Sequence, residues 1–153
     1  MRIKIRNYQT SDSDATMLLM RALASEVGFT FSPEKWRESD YLRLFSPGLR
    51  RQTLVAEDED AGRVVGMGIV EARLEPTGQL VGYLTNWVVD KDYRDKGVGR
   101  MLAEAAIDIL SKLKVDVIRV NVGMKSFDKL SGRLEKLGFN PVYVVFEKKL
   151  ESQ

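Results

Sequence analysis

The feature that most constrains this sequence is the stretch from Trp87 to Leu113, where a short apolar strand turns directly into an amphipathic helix. The strand is Trp87-Val88-Val89, and the turn ends in Arg94-Asp95-Lys96-Gly97-Val98-Gly99-Arg100. Apolar residues then recur every three or four positions, which is the spacing of one helix face. They are Val98, Met101, Leu102, Ala105, Ala106, Ile109, Leu110 and Leu113.

The turn in this stretch has the chemistry of an anion-binding site. The first N–H groups of a helix lack backbone partners, and the helix dipole adds positive potential at that end. Gly97 and Gly99 carry no Cβ that would keep an anion from the backbone. A plain strand-to-helix turn with solvated basic residues is the alternative, but the strand-then-helix context favours anion binding. We therefore expect a phosphate or pyrophosphate at residues 94 to 100.

Two common phosphate-binding motifs are absent. The P-loop run G-x-x-x-x-G-K-[ST] does not occur in the sequence. The dinucleotide fingerprint G-x-G-x-x-G would need a third glycine where Leu102 stands, on the apolar face of the helix. The phosphate site is therefore expected to be of another type.

The residues that remain resemble the GNAT superfamily of acyl-CoA N-acyltransferases. The family signature [RQ]-x-x-G-x-[GA] after a strand is matched in full from Arg94 to Gly99, and residues 89 to 94 resemble V-x-P-x-Y-R with Lys91 in place of proline. A second resemblance is the E-K-L-G-F run from Glu135 to Phe139, which ends the last helix in the family. The resemblance covers most of the chain.

This resemblance implies an α/β fold (an α+β mixed sheet) in which the fourth and fifth strands splay apart around acetyl-CoA. It implies that backbone N–H groups of residues 94 to 100 hold the pyrophosphate. Main-chain groups of Trp87, Val88 and Val89 would bind the pantetheine, and an N–H of Trp87 or Val88 would polarise the thioester carbonyl. Asn121 and Ser126 would contact the pantetheine or the leaving sulfur. No metal is implied.

The catalytic half of the family pattern is not matched. Many members carry a glutamate before the fourth-strand segment as general base, where this chain has Thr85 and Asn86. The tyrosine that serves as general acid is replaced by Leu134. Glu71 and Tyr83, on the predicted third and fourth strands, are the remaining candidates for proton transfer. An exposed strand carboxylate and a packed aromatic residue are the alternative interpretations of these two positions.

Composition excludes several classes of enzyme. The 153 residues contain no cysteine and no histidine, so Ser–His and Cys–His catalysis and cysteine–zinc sites are excluded. A net charge of +2, without a basic tract interleaved with aromatics, favours no nucleic-acid partner. The sequence has no apolar run of membrane-spanning length and no signal-peptide pattern, so no membrane partner and a cytoplasmic location are expected.

Periodicity and turn residues predict one domain over residues 1–153 in the order β-α-α-β-β-β-α-β-α-β. Helices are expected from the caps near Asp12 to about Ser25, from Ser32 to Pro47, along the central stripe, and from Phe127 to Gly138. Hairpins predict antiparallel pairing early in the chain, and the helical crossover predicts a parallel pair later. The predicted strands cover residues 2 to 8, 52 to 57, 63 to 74, Val81 to Val89, Val115 to Val122 and Pro141 to Leu150.

The favoured function is transfer of an acetyl group from acetyl-CoA to a primary amine on a small molecule, peptide or protein, by direct attack in a ternary complex. The alternative is a catalytically silent acyl-CoA-binding sensor or interaction module, because the usual glutamate and tyrosine are missing. A nucleic-acid-associated protein using the basic turn is a third, disfavoured hypothesis. The family resemblance is also compatible with a homodimer.

Overall fold

The computed structural model describes residues 1–151. They form two compact units, of which the first is Met1–Asn121 and the second begins at Val122. No helix within residues 1–151 is long and apolar enough to cross a membrane.

The first unit is built on a sheet whose described strands follow one another in chain order, β1-β2-β3-β4-β5. The first three pairings are antiparallel, and β4 pairs with β5 in parallel, as predicted. The strands are β1 (Ile3–Asn7), β2 (Arg51–Asp58), β3 (Arg63–Leu74), β4 (Leu80–Val89) and β5 (Val117–Val120).

Helices α1 (Ser13–Val27) and α3 (Val98–Lys112) pack on opposite faces of this sheet. Met67 of β3 belongs to the core cluster that contains Met17 and Met20 of α1. Its neighbour Gly66 faces α3, because a Cβ placed there would lie 3.2 Å from Leu102 Cδ1. Since successive strand residues point to opposite faces, the sheet is sandwiched between the two helices.

Helix α2 (Pro33–Glu38) begins as predicted but ends earlier. The Ser32 hydroxyl accepts a hydrogen bond from the Lys35 N–H at 3.2 Å, and a proline occupies the first helical position. The predicted continuation to Pro47 is wrong, because the chain after Ser39 forms separate 3₁₀ turns. Side-chain donors replace the backbone hydrogen bonds that would continue the helix: Ser39 Oγ and Arg43 Nη2 both donate to the Trp36 carbonyl.

A β-bulge interrupts the pairing of β3 with β4. Ile69 lies opposite Thr85 and Met67 opposite Val88, so Gly68 faces two residues of β4. One of the two, Asn86, has a φ of 56°, in the left-handed region that asparagine tolerates better than most residues. The bulge bends β4 just before the turn.

Strands β4 and β5 separate partway along their length. Their pairing runs from Val81 opposite Val117 to Leu84 opposite Val120, whereas β4 continues to Val89. Residues 85 to 89 therefore have no β5 neighbour, which is the predicted splay.

The second unit contains α4 (Phe127–Lys136) and an extended C-terminal segment. The strand predicted from Pro141 to Leu150 is wrong for this structure, because these residues are exposed and pair with no strand. Their pattern of β-branched and aromatic side chains gives strand propensity, but propensity supplies no pairing partner. Strand β5 is also shorter than the predicted Val115 to Val122.

Candidate active site

The turn between β4 and α3 is fixed by its own backbone conformation. The Asp90 carboxylate accepts a hydrogen bond from the Asp92 N–H at 2.9 Å, which caps the short 3₁₀ turn Lys91–Tyr93. Asp95 and Gly97 then adopt positive φ values of 60° and 87°. Gly97 immediately precedes α3, so the glycine in the signature supplies a left-handed residue at the helix start.

The N-terminus of α3 presents N–H groups without acceptors. Within residues 1–151, the main-chain N–H groups of Gly97, Val98, Gly99 and Arg100 donate to no protein atom, and no side chain caps this helix. The space beside them is open, because a Cβ at Gly97 would meet nothing within 4 Å. At Gly99 a Cβ would meet just Val89 Cγ2 at 3.6 Å. The helix end can therefore accept an anion.

The predicted anion-binding residues divide into backbone donors and supporting side chains. Arg94 Nε donates to the Val89 carbonyl at 3.1 Å, and its Nη2 donates to Glu26 of α1 at 2.7 Å. Lys96 Nζ lies 5.7 Å from the centre of the Tyr93 ring, and Arg100 Nε is 2.8 Å from Glu104. The side chain of Arg94 thus ties the turn to β4 and α1, whereas Lys96 and Arg100 stay at the surface.

Tyr93 anchors the turn to the β2–β3 hairpin. Its hydroxyl donates to Asp58 Oδ2 at 2.7 Å, and the Asp58 side chain is 4% exposed. This hydrogen bond lowers the pKa of Asp58 below its ordinary value and raises the pKa of Tyr93 above its ordinary value. This contact spans 35 positions of sequence, and no local pattern pointed to it.

Trp87 connects the bulge with the start of α3. Its indole covers Gly68 so closely that a Cβ on that glycine would overlap the ring. Its Nε1 lies 3.4 Å from the Gly99 carbonyl, to which it donates. The sequence assigned Trp87 a backbone role, and the structure adds this packing role of its side chain. Gly68 was the signal that could have indicated it, since a strand glycine marks close approach.

Glu71 and Tyr83, the two proton-transfer candidates, lie directly opposite each other on β3 and β4. Glu71 is ion-paired with Arg73 at 2.5 Å and with Arg51 at 3.6 Å. The Tyr83 hydroxyl donates to Glu75, and this hydrogen bond raises the pKa of the phenol. Trp87 lies four positions after Tyr83 along the strand, a span of about 13 Å.

The remaining predicted cofactor contacts lie beyond β5. Asn121 ends the first unit, one residue after β5, and is exposed. Ser126 belongs to the second unit, where it precedes α4 without a capping hydrogen bond from its side chain. Contacts of these two residues with a pantetheine chain stay predictions. No cluster of metal-ligating side chains is found among residues 1–151.

The splayed sheet and the open helix end together define a mixed α/β domain with a strand–turn–helix whose first N–H groups face open space. A family model described as acetyltransferase (GNAT) family matches residues 19–139. The chain therefore belongs to the GNAT acetyltransferase family, whose members use acetyl-CoA as cosubstrate. No curated protein sequence matches significantly.

Solved structures show the same fold at low sequence identity. Glucosamine-6-phosphate N-acetyltransferase from Arabidopsis thaliana is 20% identical, with a TM-score of 0.79 over 99% of this chain and 100% of that chain. Ribosomal-protein-alanine N-acetyltransferase from Brucella melitensis biovar Abortus 2308 is 18% identical, with a TM-score of 0.74 over 98% of this chain and 100% of that chain. These likenesses confirm the predicted fold.

Proposed function

We propose that this protein is an N-acetyltransferase that moves an acetyl group from acetyl-CoA to a primary amine. Family membership supports the class of reaction. The observation that carries the proposal is the row of acceptor-free N–H groups at Gly97–Arg100, placed where β4 has lost its β5 neighbour. An anion site and an open strand edge side by side suit a ligand with a diphosphate and an amide-bearing chain.

The residues present fit such a ligand. A diphosphate would accept hydrogen bonds from Gly97, Val98, Gly99 and Arg100, with Lys96 and Arg100 adding charge from the surface. The open edge of residues 85 to 89 would bond the pantetheine amides through the main chain. The thioester of acetyl-CoA supplies the activated acyl group. Asn121 and Ser126 are proposed as further contacts with the pantetheine or the sulfur.

In this proposal the bulge places a backbone donor toward the thioester carbonyl. The N–H of Trp87 or Val88 would stabilise the negative charge that develops on that oxygen, and one such donor lowers the barrier by about 3–4 kcal/mol. The Trp87 side chain, wedged over Gly68 and bonded to Gly99, holds this part of β4 in register with the helix end. The amine attacks the carbonyl directly, so alignment of both substrates supplies much of the acceleration.

Proton transfer is proposed to use Glu71 and Tyr83 through water. Both lie about 13 Å along the strand from Trp87, which is too far for direct contact with a group at the thioester. The raised pKa of Tyr83 keeps its hydroxyl protonated at neutral pH, so it serves as a proton donor. Glu71 is the proposed base, because its carboxylate can accept a proton from the amine through water.

Replacing Gly97 by glutamate tests the cofactor half of this proposal. A carboxylate at Gly97 would occupy the anion site and repel the diphosphate, so acetyl-CoA affinity should fall at least about 100-fold, equivalent to about 3 kcal/mol. Isothermal titration calorimetry measures the change. Gly78→Glu is the matched control, since Gly78 has a φ of +89° and equally open surroundings in the turn before β4. The control should bind acetyl-CoA like the wild type.

Unchanged acetyl-CoA affinity in Gly97→Glu would contradict the proposal. The alternative, a catalytically silent acyl-CoA-binding module, is favoured by Thr85, Asn86 and Leu134 at the positions of the family's usual proton-transfer groups. A panel of amines assayed for CoA release separates the two functions. Tight acetyl-CoA binding without turnover of any amine would favour the silent module.

A further inference from the structure

A row of polar side chains crosses the sheet of the first unit. One residue from each of four neighbouring strands stands directly opposite the next: Arg51 of β2, Glu71 of β3, Tyr83 of β4 and Arg119 of β5. Residues directly opposite each other on paired strands point to the same face of a sheet. These four residues, which we call the cross-sheet row, therefore form a polar strip about 14 Å wide.

The cross-sheet row lies on the face of the sheet that α1 packs against, where the cover by α1 ends. Ile69 of β3 packs against the core cluster that contains residues of α1. Glu71, two positions further along β3, points to the same face, and its side chain is 18% exposed. Arg73, two positions further again, is 53% exposed. The row is therefore accessible from solvent beside Arg73.

Two arginines at this strip have unused hydrogen-bond donors. Arg51 Nε is buried and has no acceptor within residues 1–151, and Arg51 Nη1 is 3.6 Å from Glu71 Oε2, beyond hydrogen-bond distance. Arg73 donates to Glu71 through Nε at 2.5 Å, and its guanidinium lies over the Tyr83 ring, 4.2 Å from the ring centre. The Nη groups of Arg73 donate to no atom of the described residues. Since buried polar groups normally have partners, these donors indicate an acceptor that the chain itself does not supply.

The charges at the strip favour an anion as that acceptor. Three arginines stand against two glutamates, namely Arg51, Arg73, Arg119, Glu71 and Glu75. Both glutamates are already engaged, because Glu71 pairs with arginines and Glu75 accepts the hydrogen bond of the Tyr83 hydroxyl. A guanidinium with free Nη groups matches the two oxygens of a carboxylate.

The position of the cross-sheet row along β4 relates it to the proposed cofactor path. Pairing with β5 ends at Leu84, one residue after Tyr83. In the proposed function the diphosphate lies at the start of α3 and the pantetheine runs along residues 89 to 85, so the acyl end points toward Tyr83. A thioester near the Trp87 N–H is then about 13 Å from the row. An acceptor that continues in the same direction from the thioester reaches the row with its far end.

We propose that the acceptor is an extended peptide N-terminus with a carboxylate side chain at its third residue, and that Arg73 and Arg51 bind this carboxylate. The proposal rests on the proposed acetyl transfer, which places the amine at the thioester. Two extended residues span about 7 Å, and a glutamate side chain adds about 5 Å. The carboxylate therefore lies about 12 Å from the amine, close to the separation of the thioester from the row.

Two peptides that differ in one group test the proposal. Ala-Gly-Glu-amide and Ala-Gly-Gln-amide have the same length and shape, but the side chain of only the first is negative. Isothermal titration calorimetry of the full chain saturated with CoA measures their affinities without acyl transfer. The wild type should bind the glutamate peptide about 10-fold more tightly. Arg73→Gln should abolish this preference, and Arg73→Lys should keep part of it, because lysine retains the charge without the fork of donors.

Arg2→Gln is the matched control. Arg2 is 69% exposed and ion-paired with Glu59 at 3.6 Å, beside the β2–β3 hairpin and away from the cross-sheet row. This variant should keep the wild-type preference. Arg73 is also exposed, so Arg73→Gln should keep its fold, which circular dichroism checks. The ratio of the two affinities reports binding of the carboxylate and does not depend on proton transfer by Glu71.

Equal affinity of the wild type for the two peptides, or binding of neither, would overturn the proposal. A preference for glutamate that persists in Arg73→Gln would also overturn it, since another group would then bind the carboxylate. CoA release from acetyl-CoA judges acetyl transfer separately. Turnover of both peptides with equal kcat/KM would support the transferase and overturn the assigned acceptor. Preferred binding of the glutamate peptide without turnover would support the recognition site and contradict acetyl transfer.

Discussion

At the scale of single residues, the open helix end is positioned by side chains that point away from it. Arg94 joins the turn to Val89 and Glu26, Tyr93 joins it to Asp58, and Trp87 joins it to Gly99. These contacts fix a backbone whose N–H groups face open space. In this account, binding depends on main-chain donors, and the side chains act by holding those donors in place.

Tyr93→Phe tests the anchoring of the turn. Its hydrogen bond needs a protonated phenol and an ionised carboxylate. Because the pKa of Asp58 is lowered, the hydrogen bond contributes fully to the free energy of unfolding above pH 3.8, the ordinary pKa of the carboxyl group. This contribution is lost as pH falls through the lowered pKa. Because the pKa of Tyr93 is raised, the hydrogen bond contributes fully to the free energy of unfolding below pH 10.0, the ordinary pKa of the phenol. This contribution is lost as pH rises through the raised pKa. The wild type should therefore be more stable than Tyr93→Phe between these limits, with a smaller difference outside them.

Thermal unfolding across pH measures this difference. Tyr41→Phe is the matched control, since Tyr41 is 68% exposed and should show no such plateau. Acetyl-CoA affinity should also fall several-fold in Tyr93→Phe, because the turn loses its hydrogen bond to Asp58 and the N–H donors are held less firmly. A stability difference that is the same at pH 3 and pH 7 would contradict the assigned hydrogen bond.

At the scale of elements, the bulged end of β4 joins the sheet to α3. Gly68 leaves room for the indole of Trp87, and that indole reaches the first turn of the helix. Further along the sheet, Gly82 leaves room for Leu110 of α3. The two glycines make the same kind of close approach, but a rigid ring lies over one and a flexible side chain over the other.

Gly68→Ala should therefore cost more stability than Gly82→Ala. The new methyl at position 68 would displace the Trp87 ring, at a cost of about 2 kcal/mol. At position 82 a Cβ would lie 2.8 Å from Leu110 Cδ1. Leu110 can rotate away, so that cost should stay below about 1 kcal/mol. Urea unfolding measures the free energy of unfolding of both variants. An equal decrease in the two would contradict the packing role assigned to Trp87.

The elements predicted correctly are those whose own periodicity decides them. Helix α3 follows an unbroken apolar stripe, and β3 was predicted at its observed bounds, residues 63 to 74. The early end of α2 depends on Arg43 reaching back to the Trp36 carbonyl, a contact that no helical pattern reports. The predicted C-terminal strand had the right composition, but strand formation also needs a neighbour.

The candidate site was predictable to the extent that it consists of backbone. Glycines at a strand-to-helix turn predicted backbone donors over residues 94 to 100. Within residues 1–151 the N–H groups of Gly97–Arg100 have no acceptor, whereas the Arg94 N–H donates to the Lys91 carbonyl at 3.5 Å. The Tyr93–Asp58 contact and the packing of Trp87 on Gly68 were not predicted, because they join distant parts of the chain. The roles of Glu71, Tyr83, Asn121 and Ser126 stay predictions.

At the scale of the whole molecule, the two units differ in how they are stabilised. The first has a continuous core on both sides of its sheet, with residues such as Val55, Val65 and Leu102 fully buried. The second buries none of its described residues. The proposed acetyl-CoA loop and the open β4 edge belong to the well-packed unit.

An acetyl-CoA titration followed by amide ¹H–¹⁵N correlation spectra tests the central claim most directly. If main-chain donors bind the diphosphate, the amide protons of Gly97, Val98, Gly99 and Arg100 should shift downfield together as they gain an acceptor. Smaller changes should follow along residues 85 to 89. Saturable binding that leaves these four amides unshifted, with the changes located elsewhere, would contradict the account.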